Sequence, residues 1–174
     1  MIGYKILGSI CVISACVLAG FLQSLKFQRY VTQLQDLYHI LFMIRGELAY
    51  TRAPLSEIFG VIKTRVQEPY NFWMSSMQRD IEEKGGDAFP IIWRRNLKNE
   101  LQNLELKEQH KKLLLEFGNV LGQLDYETGL GTIEWYLDEL KSEIIKERKE
   151  LVTKKKLCNY LGFMAGLFFV IVLI

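Results

Sequence analysis

Residues 27–50 read FQRYVTQLQDLYHILFMIRGELAY. Within them Phe27, Tyr30, Leu34, Leu37, Leu41, Ile44 and Leu48 recur at intervals of three and four. That spacing puts them on one face of an α-helix, whereas a half-buried strand would alternate with period two. A helix with one long apolar stripe buries it against other helices, so this stretch points to an all-α fold.

The neighbouring segments agree. After "YTRAPLSEI", Pro54 suits the first turn of a second helix and Glu57 sits near its positive end. Leu55, Ile58, Phe59, Ile62 and Val66 carry that helix towards Pro69. "YNFWMSSMQRDI" reads as a third helix, broken by Gly85-Gly86, with Asp87 available to cap the next. Ala88, Ile92, Trp93, Leu97 and Leu101 form the stripe of a fourth, where Pro90 is tolerable only in the first turn. Leu106–Leu121 gives a fifth and Asp125–Lys156 a sixth. In the sixth, Leu130, Ile133, Leu137, Leu140, Ile144 and Leu151 keep a near-heptad spacing, and no Pro or Gly interrupts Ile133–Tyr160. The sixth helix is therefore expected to continue into the apolar C-terminal run.

The overall balance of a mean hydropathy of +0.07 with 24% charged residues comes from segregation. Ile6–Leu22 and Leu157–Ile174 carry no charge, and every Asp and Glu lies between Phe27 and Lys156. At about 1.5 Å of rise per residue, each run is just long enough to cross about 30 Å of hydrocarbon. The expected organisation is a transmembrane helix in 1–25, an all-helical domain in 26–156 and a second transmembrane helix in 157–174. Lys26 and Arg29 follow the first run, and Lys146, Arg148, Lys149, Lys154, Lys155 and Lys156 precede the second. Basic residues at span ends stay cytoplasmic, so the middle domain is expected in the cytoplasm of a two-span membrane protein. Lys154, Lys155 and Lys156 are also set to meet anionic headgroups of the bilayer.

Cys11, Cys16 and Cys158 all lie in or beside the apolar runs and offer neither a disulfide framework nor metal-ligand spacing. Ile13-Ser14-Ala15-Cys16 has the form of a lipoprotein processing site, but Val17–Leu22 continues the apolar run, which suits a retained helix. Gly162 and Gly166 stand one turn apart, as do Ala15 and Ala19 in the first run, a spacing that lets membrane helices approach closely.

No chemistry emerges from the middle domain. His39 and His110 sit apart on helices as surface or partly buried residues, and no glycine-rich loop joins a strand to a helix. Trp73, Trp93 and Trp135 read as core, and Glu105, Glu108 and Glu116 as a solvated face. No enzyme, cofactor or metal site is expected, and near charge balance argues against a nucleic-acid partner. In "EFGNVLGQLD", Gly118 inside a helix costs about 1 kcal/mol relative to Ala, which points to close packing. Gly122 is expected just past that helix as its C′ residue, with Asp125 capping the next.

"GELAYTRAPLSEI", "LLLEFGNVLGQLD" and "LGFMAGLFFVIVLI" stand in the order and spacing of the stage III sporulation protein AB family, which the chain resembles over nearly its whole length. The match is thinnest around Gln67–Asn103. The resemblance implies a mother-cell protein of endospore-forming bacteria, in the membrane around the forespore, within a multiprotein complex that links the two cells. It further implies a cytoplasmic domain similar to the helical bundle of type II secretion and type IV pilus inner-membrane platforms. The partners it implies are the complex's secretion-type ATPase and its other membrane proteins; a homo-oligomer is compatible with the same pattern.

A platform subunit must pass motion from an ATPase to the bilayer. The expected contact surface is the junction Phe117, Gly118, Asn119, Leu121, Gly122, Gln123 and Asp125, with the neighbouring turn that includes Glu47 and Pro54. Without the resemblance, the same residues fit a membrane-anchored helical adaptor or sensor unrelated to transport.

Overall fold

A computed structural model describes the backbone of residues 2–83, 86–123 and 126–173. It describes the side chains of 14–15, 18–19, 21–83, 86–123, 129–153, 156–157, 160, 164, 168 and 171. Among these residues all regular secondary structure is helical, in the order α1 (Ile2–Thr51), α2 (Leu55–Ile62), α3 (Tyr70–Glu82), α4 (Phe89–Glu100), α5 (Glu108–Gly122) and α6 (Tyr126–Leu173).

The punctuation follows local chemistry, with some departures from expectation. The first apolar run and the Phe27–Tyr50 stripe are one helix, since Gln23–Lys26 holds no breaker. Arg52, at φ 52°, turns the chain out of α1. Pro54 stands as the N-cap of α2, and its carbonyl accepts from the amides of Glu57 (3.0 Å) and Ile58 (3.1 Å). α2 stops at Ile62 rather than running to Pro69, because the Thr64 hydroxyl and amide both turn back onto the Val61 carbonyl. Pro69 itself restricts Glu68 and lacks an amide donor. Gly86 makes the α3–α4 turn at φ +78°, a conformation that glycine adopts without strain. Asp87 does not cap α4: the N-cap is Ala88, and the Asp87 carboxylate pairs with Arg95 at 2.8 Å. Pro90 sits in the first turn, as expected.

The chain forms two compact units. The larger, residues 33–143, is a helical bundle. Within it α3 packs between α2 and α4, and α4 between α3 and α5. Leu34, Leu37, Leu41 and Ile44 of α1 are fully buried, joined by Phe59, Ile62, Trp73, Trp93, Phe117 and Ile133. Arg45 of α1 pairs with Glu134 of α6. The Tyr70 hydroxyl donates to the Gln33 carbonyl at 3.5 Å, and burial, with Asp36 nearby, pushes its pKa well above the ordinary value. Two residues depart from the sequence expectation. Trp135 is 58% exposed, standing edge-on to Tyr136 rather than in the core. His110 is fully buried, with Nε2 3.5 Å from Glu143 Oε2, because α6 covers that face of α5.

The smaller unit, residues 1–32 and 144–174, brings together parts of α1 and α6 around Phe27, Tyr30, Val31, Glu147 and Leu151. Leu18, Phe21, Leu22, Leu157, Tyr160, Met164, Phe168 and Ile171 are each more than half exposed. Among the described residues, no helix is long and apolar enough to cross a membrane. Much of both apolar runs lies outside the described side chains.

Candidate interaction surface

The end of α5 is held by an aromatic chain that the sequence reading did not assemble. Phe59 of α2 stacks on Phe89 of α4 at 6.3 Å, and Phe89 lies 6.0 Å from Trp93. Trp93 in turn meets Trp73 edge-on at 5.0 Å and Phe117 at 5.9 Å. Phe117 meets Tyr136 of α6 edge-on at 6.4 Å. Burial, together with Glu116, pushes the Tyr136 hydroxyl above its ordinary pKa.

Both glycines of α5 owe their place to this chain. A Cβ on Gly118 would overlap the five-membered ring of Trp93, and the Trp93 Nε1 donates to the Leu114 carbonyl at 2.9 Å. Gly118 is thus the close approach that its helix-propensity cost suggests. Gly122 differs from expectation. It is the last helical residue, with Gln123 as C-cap, and it does not adopt positive φ. What requires a small residue there is Phe89 and Pro90, whose ring carbons would lie 3.0 Å from a Cβ.

Of the residues proposed for a partner surface, Phe117, Gly118 and Leu121 are buried and serve the core. Asn119 is half-buried and Gly122 and Gln123 are exposed, leaving the side chains of Asn119 and Gln123 able to meet a partner. Asp125 lies outside the described residues. In the other half, Glu47 pairs with Arg65 at 2.9 Å while its carbonyl accepts from the Thr51 hydroxyl at 2.8 Å, and Pro54 is exposed. The Gly122 end is linked to α2 through Phe89 and Phe59.

Ala15 and Ala19 are exposed. The side chains of Lys154, Lys155, Gly162 and Gly166 lie outside the described residues, and Lys156 is exposed.

A polar cluster ties α3 to α4. Asp80 accepts from Asn96 Nδ2 at 2.9 Å and from Arg95 at 3.3 Å. Burial raises the Asp80 pKa, but these hydrogen bonds and the charges of Arg95 and Arg79 outweigh it and hold the carboxyl below its usual range. The Ser76 hydroxyl donates to Glu100 at 2.9 Å across the same seam. Acid–amide and acid–arginine pairs of this kind fix helix register and provide no nucleophile–base arrangement.

The family model described as Stage III sporulation protein AB matches residues 5–174. A relative, the Stage III sporulation protein AB of Bacillus subtilis (strain 168), is 25% identical over 169 residues, covering 97% of this chain and 98% of that one. A solved structure of a Stage III sporulation protein AB superposes with a TM-score of 0.64 over 71% of this chain and 97% of that chain. At 23% identity that likeness speaks for the fold alone.

Proposed function

The chain belongs to the stage III sporulation protein AB family, and from that premise we propose that it is a non-enzymatic membrane subunit of a sporulation complex, coupling a cytoplasmic secretion-type ATPase to membrane components. The observation that carries the proposal is the family match, which takes in the helical bundle and both apolar runs. Two membrane spans, in residues 1–25 and 157–174, are part of it. Their support is the uncharged sequence of both runs, the basic residues on their inner flanks and the exposed Leu18, Phe21, Leu22, Met164, Phe168 and Ile171. Apolar side chains exposed in such number ordinarily meet lipid or a partner. The bundle then faces the mother-cell cytoplasm.

The motor-facing surface in this proposal is the outward side of the α5 terminus, Asn119 and Gln123, with the turn at Glu47 and Pro54. Supporting it is the rigid aromatic packing behind Gly118 and Gly122, which lets a load on that surface act on the bundle rather than on a loose loop. The test is Asn119→Arg and Gln123→Arg, compared with the parent for ATPase pull-down and spore formation. Loss of both with unchanged thermal unfolding is the expected result. Folded variants that bind the ATPase and sporulate normally remove this surface as the motor interface.

A further inference from the structure

On the bundle, α4 and α5 leave between them an open groove of about 410 Å³. Its floor is Leu101, Leu106 and Leu114, all buried, and its walls are the half-buried Leu97 and Leu115. The rim is cationic: Arg94 and Lys98 stand on the α4 side and Lys111 on the α5 side, all exposed. Lys111 is engaged by Glu108 at 2.8 Å, one turn earlier on the same helix. Arg94 and Lys98 have no ion-pair partner among the described residues.

The two walls repeat one pattern. Arg94, Leu97 and Lys98 lie along one face of α4, with Leu101 at its C-cap, and Lys111, Leu114 and Leu115 lie along one face of α5. Each face presents leucines towards the groove and cations beside it. The complement of such a surface is a helix with apolar residues at i, i+3 or i+4, and i+7, flanked by Asp and Glu. Its apolar ridge would fill the leucine-lined trough, and its acids would meet Arg94 and Lys98. A bilayer is the poorer fit, because a flat lipid surface cannot follow a recess whose leucines lie below a charged rim.

We propose that the α4–α5 groove is a docking site for an acidic amphipathic helix of a protein partner. This surface is separate from the motor-facing one at Asn119 and Gln123, and the proposal does not depend on that assignment.

The test uses the full chain in sporulating cells of its host, with a photo-crosslinking amino acid at Gln102, which lines the groove, or at Asn99, on another face of α4. The expected result is an adduct from position 102 and none from 99. The crosslinked peptide, identified by mass spectrometry, is expected to be net negative with apolar residues at helical spacing. The double variant Arg94→Glu/Lys98→Glu lowers the adduct yield by about tenfold or more, since attraction is replaced by repulsion at both positions. Both positions are exposed, so its thermal unfolding should match the parent. The single variant Lys98→Gln gives a smaller loss of the same sign. Reversing the acids of the crosslinked segment to Lys restores the yield in the double variant. An adduct to lipid, to a basic segment or to a second copy of this chain overturns the proposal. So does the absence of an adduct, or a yield indifferent to Arg94 and Lys98.

Discussion

The indole of Trp93 occupies the space that a side chain on Gly118 would need, and its Nε1 is tied to the Leu114 carbonyl one turn back along the same helix. Leu114 precedes Gly118 by four positions, so ring, carbonyl and missing side chain form one packing unit between α4 and α5. The ring cannot slide away without giving up a buried hydrogen bond, and the interior around it is dense.

Gly118→Ala is therefore expected to destabilise the bundle. Alanine improves helix propensity by up to about 1 kcal/mol, but overpacking against a fixed ring costs about 1–3 kcal/mol, and here it outweighs the gain. Gly46 and Gly131 supply the control, because nothing lies within 4 Å of a Cβ at either. Gly46→Ala should be neutral or stabilising. Denaturant unfolding of the three variants checks the order, and a stabilised Gly118→Ala would contradict the packing described.

Asp80 predicts an acid-labile seam between α3 and α4. Its pKa is held below the ordinary 3.8, so the native state binds its proton less readily than the unfolded chain. The resulting stability is fully present above the unfolded pKa and is lost as pH falls through it to the folded value. Asp80→Asn should lower stability by a constant amount above about pH 5, with the gap to the parent closing below pH 4 or so. Unfolding midpoints measured across pH 2.5–7 test this; a gap that widens on acidification would reverse the assignment.

A single cysteine at the exposed Ser75, in a variant lacking Cys11, Cys16 and Cys158, reports on the side of the membrane that the bundle faces. A membrane-impermeant maleimide should leave it unlabelled in intact cells and label it after permeabilisation. Labelling in intact cells contradicts a cytoplasmic bundle.

Gly166→Leu is expected to weaken assembly of the complex while leaving membrane insertion intact, since a bulky residue holds a neighbouring helix away. Because Ala15 and Ala19 are exposed, crosslinking from those positions tells whether they are the facing partner. Unchanged co-purification with the other membrane proteins of the complex removes the glycine pair from the interface.

Helical periodicity alone determined that this protein is all-α, and it located the helices to within a few residues except at the end of α2, which stops seven residues before Pro69. The stripe from Phe27 to Leu48 and the breaks at Pro54, Pro69 and Gly86 are local signals, set by side-chain spacing and backbone freedom within one turn. The segregation of apolar and charged residues, and the likeness over the whole length to one family, were legible for the same reason: both are properties of the chain in order. Tertiary structure decided what the sequence could not. It turned Gly122 from an expected left-handed cap into a contact for Phe89 and Pro90, and sent Asp87 to Arg95 instead of to a helix amide. It buried His110, exposed Trp135 and opened the leucine groove between α4 and α5. Each of these depends on which helix lies opposite, and residues distant along the chain become neighbours only when the bundle closes.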